Sequence, residues 1–275
     1  MKILVTGANG YIGSKVVKKL CDLGIEVIAT DIDNKNIDKR VCFIKANIFE
    51  TNDNWYSFFN QPDVCLHLAW RDGFIHNSSK HMSDLSNHYN FITNLIDNGL
   101  KKIVCMGTMH EVGYWDGKID ENTPCNPLSQ YGIAKNALRQ SINLYENQKK
   151  CNFQWLRAFY IFGDDLYGNS IFCKIRQAVN KGEEKFPFTT GKNKYDFINI
   201  NDLTNQITAC VIQDKILGII NVCSGKPVSL AEQIEWYISY NNLPIKLDYG
   251  KYPDRPYDSP CIYGDNKKIK EIMGE

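Results

Sequence analysis

Short apolar runs alternate with stretches whose apolar residues recur at helical spacing, and the alternation sets the expected architecture. Lys2–Thr6 predicts a buried strand and Gly7–Gly13 a turn. Ile12, Val16, Val17 and Leu20 then fall on one face of a helix that Gly24 can end. Ile25–Thr30 predicts the second strand, finishing at Asp31, with later strands at Cys42–Lys45, Val64–Ala69, Lys102–Met106 and Gln154–Phe162. Helices are predicted over Asp84–Asn98 and Ser129–Gln148, the second with Ser129 as N-cap. Strands and helices in this alternation argue for an α/β protein whose parallel sheet is covered on both faces. After Gly163 the elements shorten and Gly, Pro and Lys increase. The chain is therefore divided into 1–162 and 163–275, with one return to the first unit through Asp196–Val211.

Composition narrows the classes. A chain of 275 residues can bury a sizeable core. A formal net charge of +1 gives no reason to expect nucleic acid or an anionic membrane as a partner. The apolar run before the first glycine is only Ile3, Leu4 and Val5, too few for a signal-peptide core, and no apolar run suits a bilayer span. A cytoplasmic location is expected. The ten cysteines include no C-x-x-C pair and read as reduced, mostly buried thiols. His67, His76, His81, His88 and His110 form no H-E-x-x-H, so no metal site is predicted.

Two motifs carry candidate chemistry. Gly7-Ala-Asn-Gly10-Tyr11-Ile12-Gly13 follows a strand and opens a helix. Gly7 suits the tight turn, Gly10 the approach of a diphosphate, and Gly13 close packing of helix on strand. A diphosphate there would meet the positive end of the helix dipole. Asp31 stands eighteen residues beyond Gly13, close to the ~20-residue offset of a ribose-binding acid. A carboxylate there favours NAD(H), while Arg40 and nearby lysines leave NADP(H) open. The second motif is Tyr131 with Lys135, four apart on one helix face. An ammonium beside the phenol would lower its pKa and make it a general acid or base. Together they read as redox chemistry on a carbonyl or alcohol.

These motifs resemble the extended short-chain dehydrogenase/reductases, the group of nucleotide-sugar epimerases, dehydratases and 4-ketoreductases. Further matching segments are H-L-A (67–69), G-T-M-H-E-V-G (107–113), L-R-A-F-Y-I-F-G (156–163), D-F-I-N-I-N-D (196–202), N-V-C-S-G-K-P-V-S-L (221–230) and R-P-Y-D (255–258). The resemblance implies a Rossmann-type doubly wound sheet with a smaller C-terminal region that binds the nucleotide sugar. It implies that Thr108 bonds the reacting oxygen, Tyr131 exchanges its proton, and Lys135 binds the nicotinamide ribose. Tyr11, Ile12, Ile32, Leu68, Ala69, Trp70 and Phe159 would line the cofactor. Asn47, where the family usually has Asp, and Ile48 would flank the adenine. Tyr160, Asn169, Ser170, Ile171 and Arg255 would hold the nucleotide sugar. A second family arginine is replaced by Tyr195, with Lys192 and Lys194 close by.

The subtype turns on the residues after Thr108. The sugar 4,6-dehydratases have Asp-Glu there, and this chain has Met109-His110, which argues against that reaction. His110 stands where an epimerase-reductase branch has a catalytic cysteine, so it is either a proton-transfer residue or a neutral wall residue. The segments 67–76 and 107–115 look most like 4-ketoreductases acting on dTDP-4-keto-6-deoxyhexoses, with Trp70, His76 and Trp115 shaping an apolar pocket. The alternatives are a 4-epimerase with tightly held NAD and a dinucleotide-sensing protein without catalysis. The family implies a surface-polysaccharide precursor as product. It also implies a homodimer through 84–98 and 129–148, for which Leu138, Ile142 and Tyr145 offer a stripe.

Overall fold

The computed structural model describes residues 1–163, 170–254 and 258–275. From the N-terminus run β1 (Lys2–Thr6), α1 (Gly13–Asp22), β2 (Glu26–Asp31), β3 (Cys42–Lys45), α2 (Trp55–Phe58) and β4 (Val64–His67). Then come α3 (Lys80–Ser83), α4 (Leu85–Asp97), β5 (Lys102–Thr108), a 3-10 turn (Met109–Glu111), β6 (Gly117–Ile119), α5 (Gln130–Lys149), β7 (Asn152–Ala158) and β8 (Tyr160–Phe162). The remainder is α6 (Ile171–Asn180), β9 (Lys185–Pro187), β10 (Lys194–Asn199), α7 (Ile200–Ile212), β11 (Gly218–Val222) and β12 (Pro227–Ser229). It closes with α8 (Leu230–Tyr240), β13 (Lys246–Asp248), β14 (Cys261–Gly264) and α9 (Lys267–Met273).

The larger sheet has the order β11-β7-β5-β4-β1-β2-β3, and every pairing in it is parallel. Every residue of β4 and β5 is buried, as strands covered on both faces require. One face packs on α1, α7 and α9 through Val16, Leu20, Leu203, Ile207 and Ile269. The other packs on α4 and α5 through Phe91, Leu95, Leu138 and Ile142. The strand order reverses between β1 and β4, so their carboxyl ends open the crevice where such sheets take ligands. A smaller sheet, β12-β10-β14-β6 with β8 on β10, has its own core around Phe172, Phe197, Tyr237 and Ile262.

Three expectations are corrected. The single strand expected over Gln154–Phe162 is two. β7 stays beside β5, whereas β8 crosses to the smaller sheet, pairing Tyr160 with Phe197, and Phe159 marks the break. The strand expected to reach Ala69 ends at His67, because Leu68 N–H donates to the Thr6 carbonyl and Ala69 N–H to Thr6 Oγ1. The return to the larger sheet also runs past Val211. β10 belongs to the smaller sheet, α7 makes the passage, and the edge strand arrives only at Gly218–Val222. That Gly-Ile-Ile-Asn-Val run, buried from Ile220 to Val222, is an ordinary parallel strand absorbed, in sequence, into the motif that follows it.

Candidate active site

The glycine loop joins β1 to α1 at the crevice. Gly7 has φ +66°, and a Cβ on it would lie 2.6 Å from the Ala69 nitrogen at the end of β4. A Cβ on Gly13 would lie 2.1 Å from the Gly7 carbonyl oxygen. Both glycines are thus required by backbone already present. Gly10 differs: it is exposed, and an added Cβ would meet only the Gly7 carbonyl, at 3.2 Å. The free side of Gly10 is a cradle that a side chain would fill, which fits a diphosphate over the loop.

Asp31, last in β2, accepts the Asn9 N–H at 3.0 Å and the Ile32 N–H at 2.7 Å, so its carboxylate sits against the loop. Arg40 is occupied elsewhere, paired with Asp38 and Asp22 at 2.6 and 2.7 Å. Tyr11 donates to the Gly163 carbonyl, and Ile12 packs on the core of this side. Ile32 and Asn47 are exposed, whereas Ile48 is buried.

The second centre forms where β5, α5 and the segment after β4 meet. Ser129 caps α5 by accepting the Gly132 N–H at 3.1 Å. Tyr131 N–H donates to the His76 carbonyl at 2.9 Å and Gln130 N–H to Asn77 Oδ1 at 3.2 Å, fastening the segment around His76 to the start of the helix. Thr108 ends β5, and its hydroxyl, which accepts the His110 N–H at 3.3 Å, is near enough to the Tyr131 phenol to favour its ionised form. One turn along α5, Lys135 is buried. Its ammonium donates to the Met106 carbonyl at 2.7 Å and lies 3.7 Å from the Trp70 ring centre. An ammonium has three donors; the carbonyl and the ring face occupy two.

Burial sets the electrostatics. It pushes the Tyr131 phenol well above its ordinary value, the Glu111 charge adds to the rise, and the Thr108 hydroxyl pulls the other way. Burial also lowers Lys135 to about 7, against the pull of Cys105 and Glu111. The depressed phenol expected from the Tyr–Lys pair is corrected here: desolvation outweighs an ammonium 5.9 Å from the ring centre.

All five histidines gather at this end of the sheet. His76 stacks on Tyr131 with ring centres 5.6 Å apart, and His110 lies 4.4 Å from His76. Burial lowers His76 and takes His110 down to about 4, so both are neutral bases at neutral pH. His81 accepts from Trp70 Nε1–H at 3.1 Å and therefore donates from Nε2 to the Ile75 carbonyl. Behind Trp70, which stacks on His88, a buried chain runs Thr6–His67–His88 with links of 3.0 and 2.9 Å. No three His, Cys, Asp or Glu side chains among the described residues are arranged to hold a metal. All ten cysteines are free.

The remaining predicted residues divide. Tyr160 faces this centre, its ring 6.3 Å from His110 and 4.6 Å from Tyr195, so the replacement for the second arginine is a buried aromatic. Lys192 and Lys194 are exposed. Phe159 is buried against the position of Gly264. Ser170 caps α6, accepting Cys173 N–H at 3.1 Å, and Ile171 begins that helix. Asn169 and Arg255 lie outside the described residues. Trp115 is not brought to Tyr131; it bonds the Lys118 carbonyl and packs on the smaller core. Leu138 and Ile142 are turned into the larger core and Tyr145 bonds Asp97, so this stripe serves the fold itself.

Sequence reasoning missed His81, His88 and Glu111. The first two had no local signal. Glu111 had one, because Thr108-Met-His-Glu111 has the capping-box spacing, and the structure forms that box.

Comparisons with known proteins bear on the family and the fold. Residues 3–223 match the NAD dependent epimerase/dehydratase family. A dTDP-6-deoxy-L-talose 4-dehydrogenase (NAD(+)) from Aggregatibacter actinomycetemcomitans is 43% identical over 269 residues, 96% of this chain and 99% of the relative. A GDP-6-deoxy-D-talose 4-dehydrogenase from the same organism is 24% identical over 283 residues, 100% of this chain and 92% of the relative. Among solved structures, a UDP-glucose 4-epimerase from Thermus thermophilus, in complex with NAD, superposes with a TM-score of 0.84 at 20% identity, covering 100% of this chain and 94% of that one. The chain belongs to the NAD dependent epimerase/dehydratase family.

Proposed function

We propose that this protein catalyses NAD-dependent hydride transfer at C4 of a dTDP-activated 6-deoxyhexose, interconverting the 4-hydroxy and 4-keto sugars. The observation that carries the reading is that the end of β5 and the first turns of α5 bring together the Thr108 hydroxyl, the Tyr131 phenol and the buried Lys135 ammonium, 5.9 Å from the phenol ring centre. The similarity to the dTDP-sugar dehydrogenase over almost the whole of both chains supports the choice of sugar. When bound, the dinucleotide supplies the hydride donor or acceptor. Gly10 and the N-terminus of α1 hold its diphosphate, and Asp31 accepts from the adenosine ribose hydroxyls. Asp31 at that place, with Arg40 tied to two carboxylates, favours NAD(H) over NADP(H).

Thr108 donates to the sugar C4 oxygen and so holds it beside the phenol. Tyr131 gives that oxygen a proton in reduction and takes it back in oxidation. Its high pKa in the surroundings described keeps it protonated and ready as a donor. The remaining Lys135 donor is available to a nicotinamide ribose hydroxyl.

The test is turnover of a dTDP-4-keto-6-deoxyhexose with NADH or NADPH, followed by absorbance and product stereochemistry. Reduced nicotinamide should disappear one-to-one with a new 4-hydroxy sugar. Tyr131→Phe should lose about 10²–10⁴-fold in kcat, the usual contribution of a general acid, with NADH affinity little changed. No oxidation of either coenzyme, or near-normal turnover by Tyr131→Phe, would sink the reading.

A second reading rests on the neutral His76–His110 pair, which can accept a carbon-bound proton next to the C4 ketone. It requires solvent deuterium at C3 or C5 of the product, and a product without it rejects this step. We further propose a cytoplasmic homodimer, for which exposed Met82, Ile133 and Leu144 on α3 and α5 supply apolar surface.

A further inference from the structure

One buried carboxylate at this centre has no part in the reading above. Glu111 is fully buried at the end of the 3-10 turn that follows Thr108. Its Oε1 accepts the Thr108 backbone N–H at 2.7 Å and the Trp155 indole N–H at 2.8 Å. Its Oε2 accepts no hydrogen bond from the described residues, although Arg139 Nε and Arg157 Nη2 each lie 3.7 Å away. Both guanidiniums are held elsewhere: Arg139 by Asn136 Oδ1 at 2.7 Å, and Arg157 by the Asp120 carbonyl at 3.0 Å. Both also reach the Cys125 sulfur.

The packing leaves this turn no freedom. A Cβ on Gly107 would lie 2.0 Å from Trp155 Nε1 and 2.7 Å from Glu111 Oε1. A Cβ on Gly132, beside Tyr131, would lie 2.4 Å from the His110 carbonyl oxygen. The turn is thus wedged between the indole of β7 and the first turn of α5, with Thr108 at one end and Tyr131 against its side.

The chemistry of the group is the informative part. An exposed capping box stabilises a turn cheaply, but a carboxylate taken out of water loses its hydration before any partner is counted. A glutamine would accept the same two hydrogen bonds without that cost. The charge therefore answers to its surroundings beyond the turn: the Arg139 and Arg157 guanidiniums 3.7 Å from Oε2, and the Tyr131 phenol.

Resting on the reading above, we propose that Glu111 is a positioning residue of the reaction centre. Through the turn it fixes Thr108 against the Tyr131 phenol, and its charge, only partly offset by Arg139 and Arg157, retains the phenol proton until the sugar oxygen takes it. The charged and titratable groups around it are Arg139, Tyr131 and Lys135 on α5, Arg157 on β7, Cys125 in the loop before α5, and His110 on the same turn. The upward push of Glu111 on the Tyr131 phenol is in the sense this requires.

Glu111→Gln keeps both accepted hydrogen bonds and removes the charge; Glu111→Ala removes both. With the charge gone, the kcat–pH limb governed by Tyr131 should move to lower pH by about half a unit or more. In Arg139→Gln, which unmasks the carboxylate, it should move to higher pH. Glu111→Ala should lose about 100-fold in kcat with KM little changed. A wild-type pH profile in Glu111→Gln, or wild-type kcat in Glu111→Ala, overturns the proposal. The same shift can be read without turnover, as the ultraviolet phenolate titration of Tyr131 obtained by subtracting a Tyr131→Phe background. If the wild type turns over no dTDP-sugar yet the phenol shifts as stated, the substrate reading fails and the placement of Glu111 stands. If turnover is present and the phenol does not shift, Glu111 fails alone.

Discussion

The glycine loop and the Tyr131 centre sit at the same edge of one sheet and are built in opposite ways. At the loop, the work falls to backbone: two glycines are obligatory because main-chain atoms already occupy the space, and a third leaves an opening. At Tyr131, it falls to side chains from four separated stretches, Trp70–His81, Met106–Glu111, Tyr131–Lys135 and Trp155. Backbone cradles depend on what is missing, and side-chain centres on what is held in place. Substitutions should therefore fail differently in the two regions.

Glycine substitutions give the largest expected contrast. Gly13→Ala places a Cβ 2.1 Å from a carbonyl oxygen of the loop itself, so the loop must shift. The expected outcome is a loss of about 1–3 kcal/mol in stability, the usual cost of forcing extra volume into packed structure, together with loss of measurable NADH binding. Gly10→Ala meets one oxygen at 3.2 Å and should keep stability within about 0.5 kcal/mol, as exposed changes usually do. It should still lose NADH affinity, because the methyl group stands in the cradle. Urea unfolding and NADH fluorescence titration on both variants check this. Equal stability losses would mean that Gly10 is structural like its neighbours.

The Tyr131 centre should respond through position, without collapse. Trp70→Leu removes the ring face 3.7 Å from the Lys135 ammonium. A desolvated cation–π contact is worth up to about 2 kcal/mol, so kcat should fall about tenfold. Trp70→Phe keeps a ring but loses the bond to His81, and should fall between Trp70→Leu and the parent. NADH binding through the glycine loop should survive in both. Steady-state kinetics beside NADH titration decide it; wild-type kcat in Trp70→Leu would mean the ring only fills space.

The same contrast explains what the sequence disclosed. The loop is contiguous: strand, Gly7–Gly13, helix and Asp31 follow one another within β1, α1 and β2, so spacing alone exposed them. The Tyr131–Lys135 pair was visible because one helix carries both. Around the pair, Trp70 and His76 were placed only through the resemblance and His81 not at all, because all three reach it from a connection whose approach depends on hydrogen bonds to α5 and to loop carbonyls. The elevated phenol was missed because spacing reveals neighbours along a helix and not the depth at which they are buried. The break at Phe159 was missed because β7 and β8 form one apolar run, and only the partners available at each end divide it.

The buried imidazoles behind Trp70 provide the finest test. Burial holds His67 down to about 3 and His88 well below its ordinary value, with the Lys135 charge adding to both. Between roughly pH 6.5 and 5 the unfolded chain takes up protons at these positions and the folded chain does not. Stability must then rise with pH across that window and be lost on acidification, by about 1.4 kcal/mol per pH unit for each such histidine at the limit. His110, held down to about 4, contributes in the same sense. Carboxylates that the fold keeps low lose their stabilising effect mainly below this window, which separates the two causes. Urea midpoints at pH 7, 6 and 5 should fall steeply in the parent. The slope should be shallower in a His67→Asn, His88→Asn pair even if that variant is less stable throughout. A parent slope unchanged by the pair would mean that the histidines already carry protons in the folded protein, and the hydrogen-bonded chain from Thr6 would have to run with charge beside Lys135.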